Sequence, residues 1–168
     1  MELRRIPSGA LAGAAAAAVW AAQQPLDKKA FGSGYDDVEL LGKLVTRDSG
    51  WQAAGLAIHM ANGAAFGTVY ALVRPLIPGP AQTAGVAAGL AEHLATWPLI
   101  GLIDRSLASD RRAFAQAAWR HALFGFVLGE LERRLNPPGR FEPLEQVPVS
   151  SNGHGNIEHA AAGATEAS

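Results

Sequence analysis

The run "AIHMANGAAFGTVY", Ala57 to Tyr70, decides the fold: it holds one histidine, no charged side chain, and glycines four residues apart at Gly63 and Gly67. A soluble surface helix carries a polar face at a period of about 3.6 residues. The wider stretch from Trp51 to Val73 offers only Gln52, His59, Asn62 and Thr68 for such a face, so it reads as buried on all sides. A helix that crosses a bilayer needs about 20 mainly apolar residues, and this stretch meets that length.

Three further stretches share the pattern in weaker form. Ile6 to Leu26 contains no Asp, Glu, Lys or Arg, Ala81 to Ile103 contains only Glu92, and Phe114 to Leu131 carries Gln116, Arg120, His121 and Glu130 among its apolar residues. Spans are therefore expected at Ile6–Ala22, Trp51–Val73, Ala81–Ile103 and Phe114–Leu131. The fold class expected is all-α: a four-helix transmembrane bundle over residues 1–135, followed at 136–168 by a flexible tail rich in Pro, Gly, Ser and Ala. Two other readings compete with it. One is a soluble helical bundle with an alanine-rich core, acting as an interaction protein. The other is a secretory signal, since Arg4, Arg5 and "GALAGAAAAAVWAA" imitate a basic region, an apolar region and a small-residue cleavage site.

Composition removes several function classes. With 14 basic against 15 acidic residues there is no electrostatic reason to expect a nucleic-acid partner. The lack of cysteine excludes disulfides, thiolate metal sites and cysteine nucleophiles. No GxSxG, HExxH or lysine-bearing phosphate loop is present, so no enzyme chemistry and no catalytic residue is expected. His154 and His159 in the tail lack further ligands at useful spacing, so no metal is expected either.

The connections have their own signals. "QQPLDKKAFGSGYDDVELLGKLVTRDSG" reads as a polar link with a short interfacial helix near Val38 to Val45, its Asp36 and Asp37 being solvated charges or helix caps. "RPLIPGP" reads as a tight turn, and Ser109 or Asp110 as the N-cap of the last helix. A shift of 62 residues places His59, Gly63 and Gly67 on His121, Gly125 and Gly129, while a shift of 77 places Trp20 on Trp97 and Asp27 on Asp104. Two tandem helical hairpins of like orientation would explain both.

In lipid, helices meet through small residues and interhelical hydrogen bonds, because lipid tails are as apolar as leucine. Gly9 and Gly13, Gly55 with Gly63 and Gly67, Gly85 and Gly89, and Gly125 and Gly129 give every expected span a small-residue face. Such faces serve contacts within the chain, with a second copy or with another membrane protein. The polar exceptions are His59, Asn62, Glu92, His93, Arg120 and His121. Intramembrane ionisable groups are costly and face a partner or a wet cavity. Glu92 and Arg120 are expected to meet as an ion pair between neighbouring helices, with the histidines beside them. Three roles stand open: structural glue between helices, a pH-responsive polar pathway for protons or a small solute, and a haem held by two histidines as the one cofactor alternative.

The order of these segments, with "GALAGAAAAAVW", then "H" and "FGTVY", "AGVAAGLAEHLATWPLIGLID" and "HALFGFVLGELERRL", resembles the YagU-like bacterial inner-membrane proteins over about Pro7 to Leu135. That resemblance implies a multi-span protein of the bacterial cytoplasmic membrane, with His59, His93 and His121 as its intramembrane histidines, "GELERRL" as a basic helix end, a link to acid tolerance, and no catalytic residues. The first connection, the alanine content and the tail depart from the family. Orientation stays open: with both termini on one side, six basic residues fall there and seven on the other.

Overall fold

The structure, a computed structural model, describes residues 2–137. The expected tail, with His154 and His159, lies outside the described residues.

Those residues form an all-α fold of six helices: α1 (Arg5–Phe31), α2 (Asp37–Val45), α3 (Trp51–Val73), α4 (Ala81–Ile103), α5 (Arg105–Ala108) and α6 (Arg111–Leu135). Short 3-10 turns precede α1 and follow α3. The expected interfacial helix is α2, whose N-cap Asp36 accepts the backbone N–H of Glu39. Asp110 caps α6 in the same way, through Arg112 and Ala113. α1 differs most from expectation. It continues through Pro25 to Phe31, nine residues beyond Ala22, and stops at Gly32, whose φ of +59° suits a residue without a Cβ.

Packing follows the glycines. α1 lies between α3 and α6, α6 lies between α1 and α4, and α2 rests on α3. At the α1–α3 crossing a Cβ placed on Gly63 would stand 2.6 Å from the Ala17 Cβ and 2.7 Å from the Gly13 carbonyl oxygen. One placed on Gly9 would stand 2.6 Å from the Gly67 carbonyl oxygen. At the α4–α6 crossing Gly85 lies against the Gly125 carbonyl, Gly89 against that of His121, and Gly129 against that of Ala81. Gly55 leaves the face expected for it. It packs on α2, against the Val38 carbonyl and Gly42. None of the nine expected packing glycines is left open for a second copy.

These contacts also set the correspondence between the hairpins. Gly13 meets Gly63 as Gly85 meets Gly125, and Gly67 meets Gly9 as Gly129 meets Ala81. α3 and α6 therefore correspond at the expected 62 residues, but α1 and α4 correspond at 72, from Gly13 to Gly85. The expected match of Trp20 with Trp97 and Asp27 with Asp104 is replaced by one that sets Trp20 against Glu92. Backbone contact through missing side chains fixes the register, and tryptophan spacing has no hold on it.

Many large apolar side chains face outward. Leu94 is 63% exposed and Leu102 81%, while the shared core is built from Ala12, Ala16, Ala17 and Ala84 around Trp20, Tyr70, Phe124 and Leu128. α3 with its terminal turn (Trp51–Leu76) and α4 (Ala81–Ile103) are long and apolar enough to cross a membrane.

Gly63→Leu should lower the melting temperature sharply, by more than the roughly 1–3 kcal/mol usual for overpacking, since rigid backbone blocks the new side chain. Gly50→Ala, with nothing within 4 Å of the added carbon, should leave it unchanged. Circular dichroism melts of the purified variants check the pair.

Candidate functional site

Arg120 is the most deeply buried charge, with no exposed surface at all. It does not meet Glu92. Its Nε and Nη2 donate to the two carboxylate oxygens of Asp27 at 2.6 and 2.7 Å, Nη1 donates to Asp37 at 2.8 Å, and Nη2 also reaches the Tyr35 carbonyl at 3.2 Å. The guanidinium lies over the Tyr35 ring, 5.6 Å from its centroid. This corrects the expected Glu92–Arg120 pair, and the cause is helical geometry. Successive residues on a helix point about 100° apart. On α6 His121 turns towards α4, its Nε2 3.9 Å from Glu92, so Arg120 turns towards α1 and α2.

The carboxylates are well supplied with donors. Asp27 also accepts from Gln116 at 2.6 Å and from Gln23, and Asp37 from Trp20 at 3.3 Å and Gln24 at 3.0 Å. The expectation that Asp37 is a solvated charge is overturned: it is 7% exposed, drawn inward because Arg120 needs a second anion. Asp36, its neighbour, stays at the rim as a helix cap. Burial would push the Asp36 carboxyl up, but the Lys28 ammonium at 2.6 Å, the Glu39 N–H and the Gln24 amide outweigh it and hold it below the ordinary carboxylate range. Burial, with Asp37 nearby, pushes the Tyr35 hydroxyl up, so that group stays neutral.

A cavity of about 310 Å³ lies against this triad. His59, Asn62, Glu92, His93 and His121 all line it, so the structure brings together five of the six polar residues singled out in the sequence, with Arg120 directly behind through Asp37. The level is shared: at 1.5 Å per residue, His59 lies about 12 Å from the start of α3, Arg120 about 14 Å from the start of α6, and His93 about 15 Å from the end of α4. The rings form one cluster. Trp20 stands edge-on to His59 and His121 with centroids 5.1 and 4.6 Å away, and His93 lies 5.0 Å from His121.

The imidazole nitrogens are unequally used. His121 Nδ1 lies 2.8 Å from the Ala117 carbonyl oxygen, which selects the tautomer with the proton on Nδ1. His59 Nδ1 faces Asp37 Oδ2 at 3.2 Å, an electrostatic contact short of hydrogen-bond geometry that favours the same tautomer. His59 Nε2 has no partner. Neither ring nitrogen of His93 has one, although the residue is only 2% exposed. No group of three or more His, Asp or Glu among the described residues is arranged to hold a metal ion.

Sequence reading missed Trp20, Asp27, Tyr35, Asp37 and Gln116. The spacing of Trp20, Gln23 and Asp27, at i, i+3 and i+7, is the signal that a helix face continues past Ala22. At the opposite end of the bundle Glu132, within the "basic" end of α6, is buried and pairs with Arg5 at 2.9 Å.

No family model, curated protein or solved structure matches the chain.

Removing Arg120 would strand two buried carboxylates, and breaking a buried pair costs about 3–5 kcal/mol. Arg120→Met should therefore destabilise the fold by that amount, whereas Lys43→Met, which removes the exposed Lys43–Glu39 pair and a cation–π contact with Trp51, should lower the melting temperature far less. Thermal melts of both variants check this.

Proposed function

We propose that the chain is a four-span integral protein of the bacterial cytoplasmic membrane whose interior cavity receives a small molecule from the bilayer. The observation that carries this reading is an inverted distribution of side chains: Asp27, His59, His93, Gln116 and Arg120 are buried inside, while many leucines and valines are outside. Leu11 on α1, Val69 on α3, Leu94 and Leu102 on α4 and Phe126 on α6 are all more than half exposed. Water penalises that surface and a bilayer does not.

α1 and α6 complete the four spans alongside α3 and α4. Neither is as apolar as α3 or α4, since α1 is largely alanine and α6 holds Arg120, but Arg120 is turned inward and paired. A paired, fully hydrogen-bonded arginine avoids most of the cost of an intramembrane charge. The resemblance to YagU-like proteins points to the same membrane.

Within this reading the polar residues divide. Arg120, Asp27, Asp37 and Gln116 are glue, because the Arg120 guanidinium and the Gln116 amide donate to the carboxylates of Asp27 and Asp37 and so tie α1, α2 and α6 together. His59, His93, His121 and Glu92 are the receptive groups, because they line open space and retain unused nitrogen or oxygen atoms. Binding is what they support.

Expression of the full chain followed by an alkaline wash of isolated membranes tests the reading. Retention in the washed pellet is expected. Release to the supernatant would overturn it.

A further inference from the structure

The cavity's lining has a consistent chemical bias. Two carboxylates, Asp37 and Glu92, line it, and no lysine or arginine does. Arg120 behind the wall cannot offset them, since its single charge is shared between Asp27 and Asp37, leaving that triad with a net charge of −1. Glu92 brings a second carboxyl group to the lining, from α4. No side-chain donor among the described residues bonds its carboxylate, and its nearest cationic candidate, His121 Nε2 at 3.9 Å, is beyond hydrogen-bond reach.

The histidines extend the bias. With the proton on Nδ1, His59 and His121 each offer a lone pair on Nε2, so both act there as acceptors. His93 is buried with two unpartnered ring nitrogens beside the same space, and a buried polar group without a partner costs free energy that a ligand can recover. The rest of the lining is mainly apolar and includes five aromatic residues, Trp20, Trp97, Tyr35, Phe66 and Phe124. Aromatic faces attract cations, most strongly where water is excluded.

The way in is apolar. α3 and α4 are consecutive but pack on α1 and α6, with no extended contact between them. Leu99 and Ile103 line the cavity and are also about half exposed, 55% and 46%, so the mouth lies on the outer apolar flank of α4. A volume of about 310 Å³ sits at the small end of the roughly 300–1,000 Å³ range of ligand pockets.

We infer that this cavity binds a small amphipathic organic cation, a protonated amine on an apolar or aromatic body, with the ammonium donating to Glu92 and to histidine lone pairs and the body held among the tryptophans and phenylalanines. The inference rests on the membrane-protein reading only for the route of arrival; the site itself is a property of the folded chain.

The probes are three molecules of similar shape: 2-phenylethylammonium, neutral 2-phenylethanol and anionic 3-phenylpropionate. Each is titrated by calorimetry into the full chain purified in mild detergent, with quenching of tryptophan fluorescence followed in parallel. Saturable binding of the ammonium is expected, with the alcohol weaker and the carboxylate undetectable. Glu92→Gln should weaken ammonium binding by about tenfold or more, as loss of one member of a charge pair does, while Glu39→Gln on the exposed face of α2 should not. Trp97→Leu, a second variant that keeps both carboxylates, should reduce affinity and the quenching together. Equal binding of ammonium and alcohol, an unchanged affinity in Glu92→Gln with its native melting curve, or no binding of any probe would each overturn the inference. None of those results moves the protein out of the alkaline-washed pellet, so failure of the site and failure of the membrane reading are told apart.

Discussion

The interior is organised around one guanidinium. Arg120 has no contact with solvent, so its charge has to be matched inside the protein, and a planar fork of five N–H donors asks for carboxylates in fixed positions. Asp27 takes the bidentate side and Asp37 the remaining Nη1. Meeting that demand extends α1 past Pro25 to carry Asp27 and folds the first connection back so that the start of α2 enters the bundle. The wall of the cavity follows from it, because Asp37 touches Arg120 with one oxygen and faces His59 with the other.

The second constraint is close approach. The α1–α3 and α4–α6 crossings bring backbone carbonyls against glycines, and the same contact pattern recurs in both hairpins at offsets of 72 and 62 residues. Where the pattern is equal, the polar residues are not: Trp20 on α1 stands where Glu92 stands on α4. That difference puts an indole on the α1 side of the cavity at the position where α4 carries a carboxyl group. Two similar hairpins thus enclose a site that neither could form alone.

Much of this was legible from residue types alone. A histidine or a glutamate within an uncharged run has few places to go, and His59, Asn62, Glu92, His93 and His121 do line one space. Glycines four apart marked the crossings, apart from Gly55, which was claimed by α2. What stayed hidden was partnership. Asp27 and Asp37 lie in a stretch whose proline, glycines and paired acids have the composition of a loop, and Pro25 looks like a helix end although it sits within a helix. Adjacent residues on α6 point about 100° apart, so the nearer acid in a flat reading, Glu92, falls to His121 while Arg120 turns the other way. Composition names the groups that need partners; rotation about each helix axis assigns them.

The central claim is that the outer surface of the bundle is a lipid surface and the histidine cluster an interior one. Because the chain has no cysteine, single cysteines can be placed at Leu11, Val69, Leu94 and Phe126, and separately at Ala64 beside Gly63, without any background label. Spin labels at these sites in reconstituted vesicles report contact with lipid through oxygen and contact with water through a soluble nickel chelate. The account predicts high oxygen and low nickel accessibility at all four outward positions. High nickel accessibility at those positions would place the leucine and phenylalanine surface in water and contradict it.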